Sequence, residues 1–176
     1  IRLWEKTKED RNLSFPKNLA AFAEKQKMLP ENGFDPERDK MVIVFDGDVF
    51  EEKVQGYEEL VASIEKTDIA AVTNPNFELF LLLHIRNSYE ERIQDHEPDF
   101  FCKNRKGRYS HAADLLLELT GMNSKKNSEI GNLAKDVFIA IEQEKRINQD
   151  VHHIKGRLSS NIGKIIEGII NEKPKI

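Results

Sequence analysis

Five apolar residues, Met41-Val42-Ile43-Val44-Phe45, run directly into Asp46-Gly47-Asp48. A short continuous apolar run rich in Val and Ile reads as a strand buried on both faces, as in a parallel sheet. At the end of such a strand the two acids face the same way if the chain turns at Gly47. Close carboxylates repel each other unless a cation or a proton sits between them. Hard oxygen ligands of this kind suit Mg²⁺ or Mn²⁺, and open α/β sheets place their ligands at the carboxyl ends of their strands. The competing reading of an isolated Asp-x-Asp is a surface turn with two solvated acids, so the rest of the chain must decide.

Strand and helix signals alternate around this stretch. Ser14-Phe15-Pro16 predicts a helix start with an early Pro, and Leu19, Phe22, Ala23 and Leu29 give that helix one apolar stripe before Pro30 ends it. Residues 32–39 form a polar loop. A helix is expected over 54–66 with Tyr57, Leu60, Val61 and Ile64 inward, then a second short strand over 68–73. Asn74-Pro75 predicts a further helix, capped by Asn74 and running to about residue 85. This is a βαβ unit with parallel strands and a right-handed crossover. Two strands are too few for a stable sheet, so further strands are expected upstream of Ile1, the more so because the chain opens without Met. Residues 87–109 look polar and irregular. Helices are expected over 110–120, 128–146 and 160–171. The fold class expected is α/β: a parallel sheet flanked by helices over residues 1–100, then a basic loop and a helical C-terminal portion over 101–176.

Charge is unevenly spread. Residues 1–100 carry 13 basic and 22 acidic side chains, and residues 101–176 carry 14 basic and 9 acidic. An acidic half beside a basic one suits a site that holds a cation next to a surface that holds an anion, though helical surfaces also vary in charge without function. The lone cysteine, Cys102, excludes a disulfide framework or a thiolate metal site within one chain and fits the cytoplasm. The longest apolar run, around residues 79–83, is far too short to span a bilayer.

Parallel strands end on one rim, so Asp46 and Asp48 are expected beside Thr73-Asn74-Pro75-Asn76-Phe77-Glu78. Glu78 lies about one helical turn after Asn74 and can join the two aspartates in a three-carboxylate cluster; the alternative is a first-turn acid that balances the helix dipole. Asn74 is a supporting rim residue. His84 sits about 240° round the helix from Glu78 and does not share its face. His152 and His153 are adjacent rather than at ligand spacing, and His96 and His111 form no pattern. In Lys103-Asn104-Arg105-Lys106-Gly107-Arg108-Tyr109, four basic groups fall within six residues. Lys103, Arg105, Lys106 and Arg108 suit a nucleic-acid backbone, with Tyr109 available for stacking; the alternative is a solvated loop balancing the acids before it.

Val44-Phe45-Asp46-Gly47-Asp48, followed about 25 residues later by Thr73-Asn74-Pro75-Asn76-Phe77-Glu78-Leu79-Phe80-Leu81-Leu82-Leu83-His84, resembles the RloB-like family. That family carries V-F-D-x-D and then S-N-P-x-F-E-x-W-L-L-L-H, from which this chain departs by Thr73 for Ser and Phe80 for Trp. The resemblance implies a divergent Toprim-type fold, encoded beside AAA/ABC-type ATPases in restriction-linked and abortive-infection loci. It implies Mg²⁺ (or Mn²⁺) at Asp46 and Asp48, in cleavage of DNA or RNA for anti-phage defence. Toprim-type sites add a Glu after their first strand. Its C-E-G-type motif has no counterpart in this sequence, which again points upstream of Ile1.

The leading expectation is therefore a metal-dependent nuclease with catalytic Asp46, Asp48 and Glu78, an ATPase partner, no membrane, and a homo-oligomer left open. A non-catalytic module whose helices after residue 110 dock the ATPase is the alternative. A haloacid-dehalogenase-type phosphotransferase ranks lower, because Phe50 stands where that family wants Thr or Val. A glycosyltransferase has only the Asp-x-Asp in its favour.

Overall fold

Val42–Asp46 forms strand β1 and Ile69–Asn74 forms strand β2. The two pair in parallel, with Val42 opposite Ile69 and Asp46 opposite Thr73. This computed structural model describes residue 13 and residues 15–50, 54–102 and 110–172. β-Branched and aromatic side chains fit the pleated surface of such a pair, and helix α2, Val54–Ile64, makes the crossover. A third strand, β3, is Ser159–Ser160, antiparallel to β2, so the described sheet has the order β1–β2–β3. This strand comes from the downstream part of the chain; the further strands expected upstream of Ile1 fall outside the described residues.

β1 is buried on one face only, a correction to the two-sided burial expected of it. Ile43 and Phe45 point inward, while Val42 and Val44 are 42% and 45% exposed. The cause is position: among the described residues β1 is the sheet's edge, whereas β2 lies between two strands and buries every residue after Ile69. Helix α1, Pro16–Lys27, starts with Pro, whose missing N–H has no helical partner to lose there. Together α1 and α2 cover the inward face of β1, where Ala23, Ile43, Phe45, Tyr57, Val61 and Val72 form one core.

The second core lies on the other side of β2. Ala71 meets Leu79 and Phe80 of helix α3 (Phe77–Leu82), Leu116 of α4 (His111–Thr120), Ala140 of α5 (Val137–Glu144) and Ile162 of α6 (Ile162–Asn171). Burying one such aliphatic or aromatic side chain stabilises by about 1.5–3 kcal/mol. α4 follows its sequence signals: Ser110 Oγ accepts from the Ala113 N–H at 3.2 Å, and Gly121 ends the helix with φ +69°. Elsewhere the helices differ from expectation. Residues 89–101 are helical rather than irregular, in a π turn at Tyr89–Ile93 and 3₁₀ turns over Gln94–Phe101 that accommodate Pro98. The single helix expected over 128–146 is a 3₁₀ stretch, Ser128–Asp136, followed by α5. Gly131 and Asn132, poor helix formers, sit in the 3₁₀ part.

Candidate functional site

The parallel register places the carboxyl ends of β1 and β2 side by side. Asp46 and Thr73 are register partners, and the Thr73 hydroxyl donates to Asp46 Oδ1 at 3.1 Å. β1 then turns into a 3₁₀ segment, Gly47–Phe50, which leaves Asp48 exposed while its N–H donates to the Pro75 carbonyl at 3.0 Å. The turn is tight against the opposite rim. A Cβ on Gly47 would stand 2.8 Å from Asn74 Oδ1 and 2.9 Å from Ile154 Cδ1.

Asn74 does not cap α3, as the sequence suggested. It is the last residue of β2, its peptide bond to Pro75 is cis, and its side-chain amide donates to the carbonyls of Ile154 at 2.8 Å and Arg157 at 2.9 Å. With that side chain committed to the 154–157 loop, the helix begins three residues later and Asn76 takes the cap position. The N–H of Phe77, the first residue of α3, donates to the Asp46 carboxylate. Glu78 follows in the first turn, where its Oε1 accepts from Ser124 Oγ at 2.8 Å. At the far end of α3, buried Gln143 of α5 donates to the carbonyls of Leu83 and Ile85 at 2.7 and 2.8 Å. This supplies partners for carbonyls that a helix end leaves open.

The acids share an electric field. Burial, then the charge of Asp48, pushes the Asp46 carboxyl up to about 6; Glu78 adds to the rise, while the Thr73 hydroxyl and the Phe77 N–H oppose it. A carboxyl held that high answers to excess negative charge and desolvation, a condition that a divalent cation relieves. The oxygen donors fit such an ion. Asn76, between Pro75 and Phe77, adds a neutral oxygen that is uncommitted: its Oδ1 is buried and meets no hydrogen-bond donor among the described residues. No three His, Cys, Asp or Glu side chains among the described residues gather tightly enough to hold a metal on their own. Glu78 therefore influences Asp46 through charge, while its own carboxylate is turned to Ser124.

The other sequence candidates are elsewhere or engaged. Lys103, Arg105, Lys106 and Arg108, with Tyr109, lie outside the described residues, as does Ser14. His84 is buried, its Nδ1 2.9 Å from the Phe80 carbonyl, and burial pushes its pKa down. His152 pairs with Glu65 at 2.9 Å and His153 with Asp150 at 2.7 Å, both on the surface. His96 faces Asp99, and the His111 ring meets Phe100 edge-on. Cys102 is exposed. No described helix is long and apolar enough to cross a membrane.

Sequence reasoning missed Ser124, which anchors Glu78, and the bonding roles of Asn161 and Glu144. Asn161 Oδ1 accepts from the Val72 N–H and its Nδ2 donates to the Ala70 carbonyl, both at 2.8 Å, so one side chain pairs the stretch of β2 that the two-residue β3 does not reach. Glu144, fully buried, accepts from Ser160 Oγ, from the Gly163 and Lys164 N–H groups and from Gln149 Nε2.

Fold and site together define a mixed α/β protein with an acidic site at the carboxyl ends of two parallel strands. The sequence profile of the RloB-like protein family matches residues 2–169, and the chain belongs to that family. No curated protein and no solved structure matches it.

Proposed function

We propose that this chain is a divalent-cation-dependent nuclease that cleaves phosphodiester bonds in DNA or RNA, with Asp46 and Asp48 holding Mg²⁺ or Mn²⁺. The observation that carries the reading is the placement of Asp46 at the ends of two parallel strands, held by the Thr73 hydroxyl, with Asp48 two residues on in the turn clamped by Pro75. A bound divalent cation neutralises charge on a phosphoryl oxygen and lowers the pKa of water. The chain's own residues do the rest. Thr73 and the Phe77 N–H fix the orientation of Asp46. The Pro75 carbonyl fixes the backbone of Asp48, and Ser124 fixes Glu78 as the candidate proton acceptor. The segment with Lys103, Arg105, Lys106 and Arg108 supplies cations for the nucleic-acid backbone. A Toprim-type site, an AAA/ABC-type ATPase partner and a role in anti-phage defence are supported by the family resemblance.

The test is cleavage of supercoiled plasmid and of tRNA in Mg²⁺ or Mn²⁺. Wild-type protein is expected to cleave one of them, and Asp46→Asn and Asp48→Asn to lose that activity; equal cleavage by the variants sinks the assignment. The second reading, a module that docks an ATPase without cleaving, is favoured by the apolar surface of the C-terminal helices, where Phe138 is 64% and Ile170 51% exposed. Stable co-purification with the ATPase, with neither metal nor cleavage, would select it.

A further inference from the structure

Asn76 is out of keeping with its position. An Asn at a helix N-cap normally turns its side-chain oxygen onto an N–H of the first turn. Asn76 has the extended backbone of a cap, φ −150° and ψ 169°, yet makes no such bond. The residue is 5% exposed, and its Oδ1 meets no donor among the described residues. Buried polar atoms without partners are rare in folded proteins and call for an explanation.

Its surroundings supply one. The residues on either side of Asn76 clamp the acidic turn: the Pro75 carbonyl accepts from the Asp48 N–H, and the Phe77 N–H donates to the Asp46 carboxylate. Glu78 comes next. The hydroxyls of Thr73 and Ser124 are committed to Asp46 and Glu78. An amide oxygen short of donors, on the residue between the two whose backbones contact the acidic turn, has the character of a hard-cation ligand.

We propose that Asn76 Oδ1 is the neutral ligand of the cation site formed by Asp46 and Asp48. This rests on the reading that those aspartates hold a divalent cation. Two carboxylates and one amide oxygen offset the charge of a divalent ion without the repulsion that a third adjacent carboxylate would bring. The proposal also gives Asn76 a role that α3 itself does not provide.

The experiment is calorimetric titration of Mn²⁺ into the full chain at pH 7.5, paired with thermal unfolding of the metal-free protein. Wild type, Asn76→Ala, Asn76→Asp and Asp46→Asn are compared. Asn76→Ala is expected to weaken Mn²⁺ binding about ten-fold or more, while leaving the metal-free melting temperature at or above that of wild type, because no bond is lost. Asn76→Asp, which keeps an oxygen at the position, is expected to bind Mn²⁺ at least as well as wild type. If Asp46→Asn abolishes binding but Asn76→Ala stays within two-fold of wild type, the role of Asn76 is overturned and the aspartate site stands. If wild type binds no Mn²⁺, both fall. A large drop in metal-free melting temperature for Asn76→Ala would overturn the ligand role in favour of a packing role.

Discussion

Gly47 and Asn74 meet so closely that any side chain at Gly47 would collide with the Asn74 amide. A Cβ there would stand 2.8 Å from Asn74 Oδ1 and 3.1 Å from Asn74 Cβ. Asn74 has no room to yield, because its Nδ2 is bonded to two carbonyls of the 154–157 loop. Gly47→Ala is therefore expected to destabilise by about 1–3 kcal/mol, the usual cost of overpacking a filled site. Urea unfolding measures it. An unchanged midpoint would mean that the Asp-Gly-Asp turn is not pinned to the second rim.

Asp46 gives stability a pH dependence of definite sign. The unfolded chain releases this proton near the ordinary carboxyl value of about 3.9, the folded chain at about 6. Between these the native state holds the extra proton, so stability falls as pH rises through the window. Above it, ionised Asp46 weakens the fold by an amount on the order of 1–3 kcal/mol. Asp46→Asn removes the titration. The variant is expected to be more stable than wild type at pH 8, with the gap closing towards pH 5, as read by urea midpoints across the range. A gap independent of pH would refute the raised carboxyl.

The place of Asp46 beside Thr73 was legible because the parallel pairing of a βαβ unit puts both strand ends on one rim, whereas the turn of Glu78 towards Ser124 was not. Nor was the rest of what depended on distant partners. The Val-rich run of β1 reads the same in an edge strand as in a central one, so the exposure of Val42 and Val44 had no local signal. Asn74-Pro75 has the composition of a helix start, but two carbonyls contributed from residues 154 and 157 drew Asn74 into the sheet. Ser159–Ser160 shows neither alternation nor β-propensity; it becomes a strand because Thr73 and Asn74 offer it backbone partners.

Asn161 stands in for a strand beside β2, which makes it a sensitive point of the sheet. Its side chain serves the Val72 N–H and the Ala70 carbonyl, both deep in the protein. Asn161→Ala would leave a buried donor and a buried acceptor unpaired, at about 1–3 kcal/mol for each group. The expected result is a clear loss of stability together with faster hydrogen exchange at the Val72 amide. Retained protection at Val72 would show that its backbone finds another partner.

Lys27 and Asp68 tie α1 to the start of β2, and the pair is largely out of water, with side chains 12% and 2% exposed. Asp68 Oδ1 also accepts from the Met41 N–H at 2.9 Å, and Oδ2 accepts from Thr67 Oγ1 at 2.9 Å as well as from Lys27. Burial alone would raise the Asp68 carboxyl, but the bonds from Lys27, Met41 and Thr67 outweigh it and hold the group below the ordinary range. Its contribution is therefore present above the unfolded carboxyl value and lost as pH falls through the lower folded one, a window on the acid side of that set by Asp46. Lys27→Ala takes the cation from a carboxylate that keeps only its Met41 and Thr67 bonds and is expected to destabilise by about 1–3 kcal/mol at neutral pH, whereas Lys27→Ala combined with Asp68→Asn recovers part of that loss. Urea unfolding of the three proteins at pH 7 decides it. A double variant no more stable than Lys27→Ala would show that the pair acts through packing of the lysine stem and not through charge.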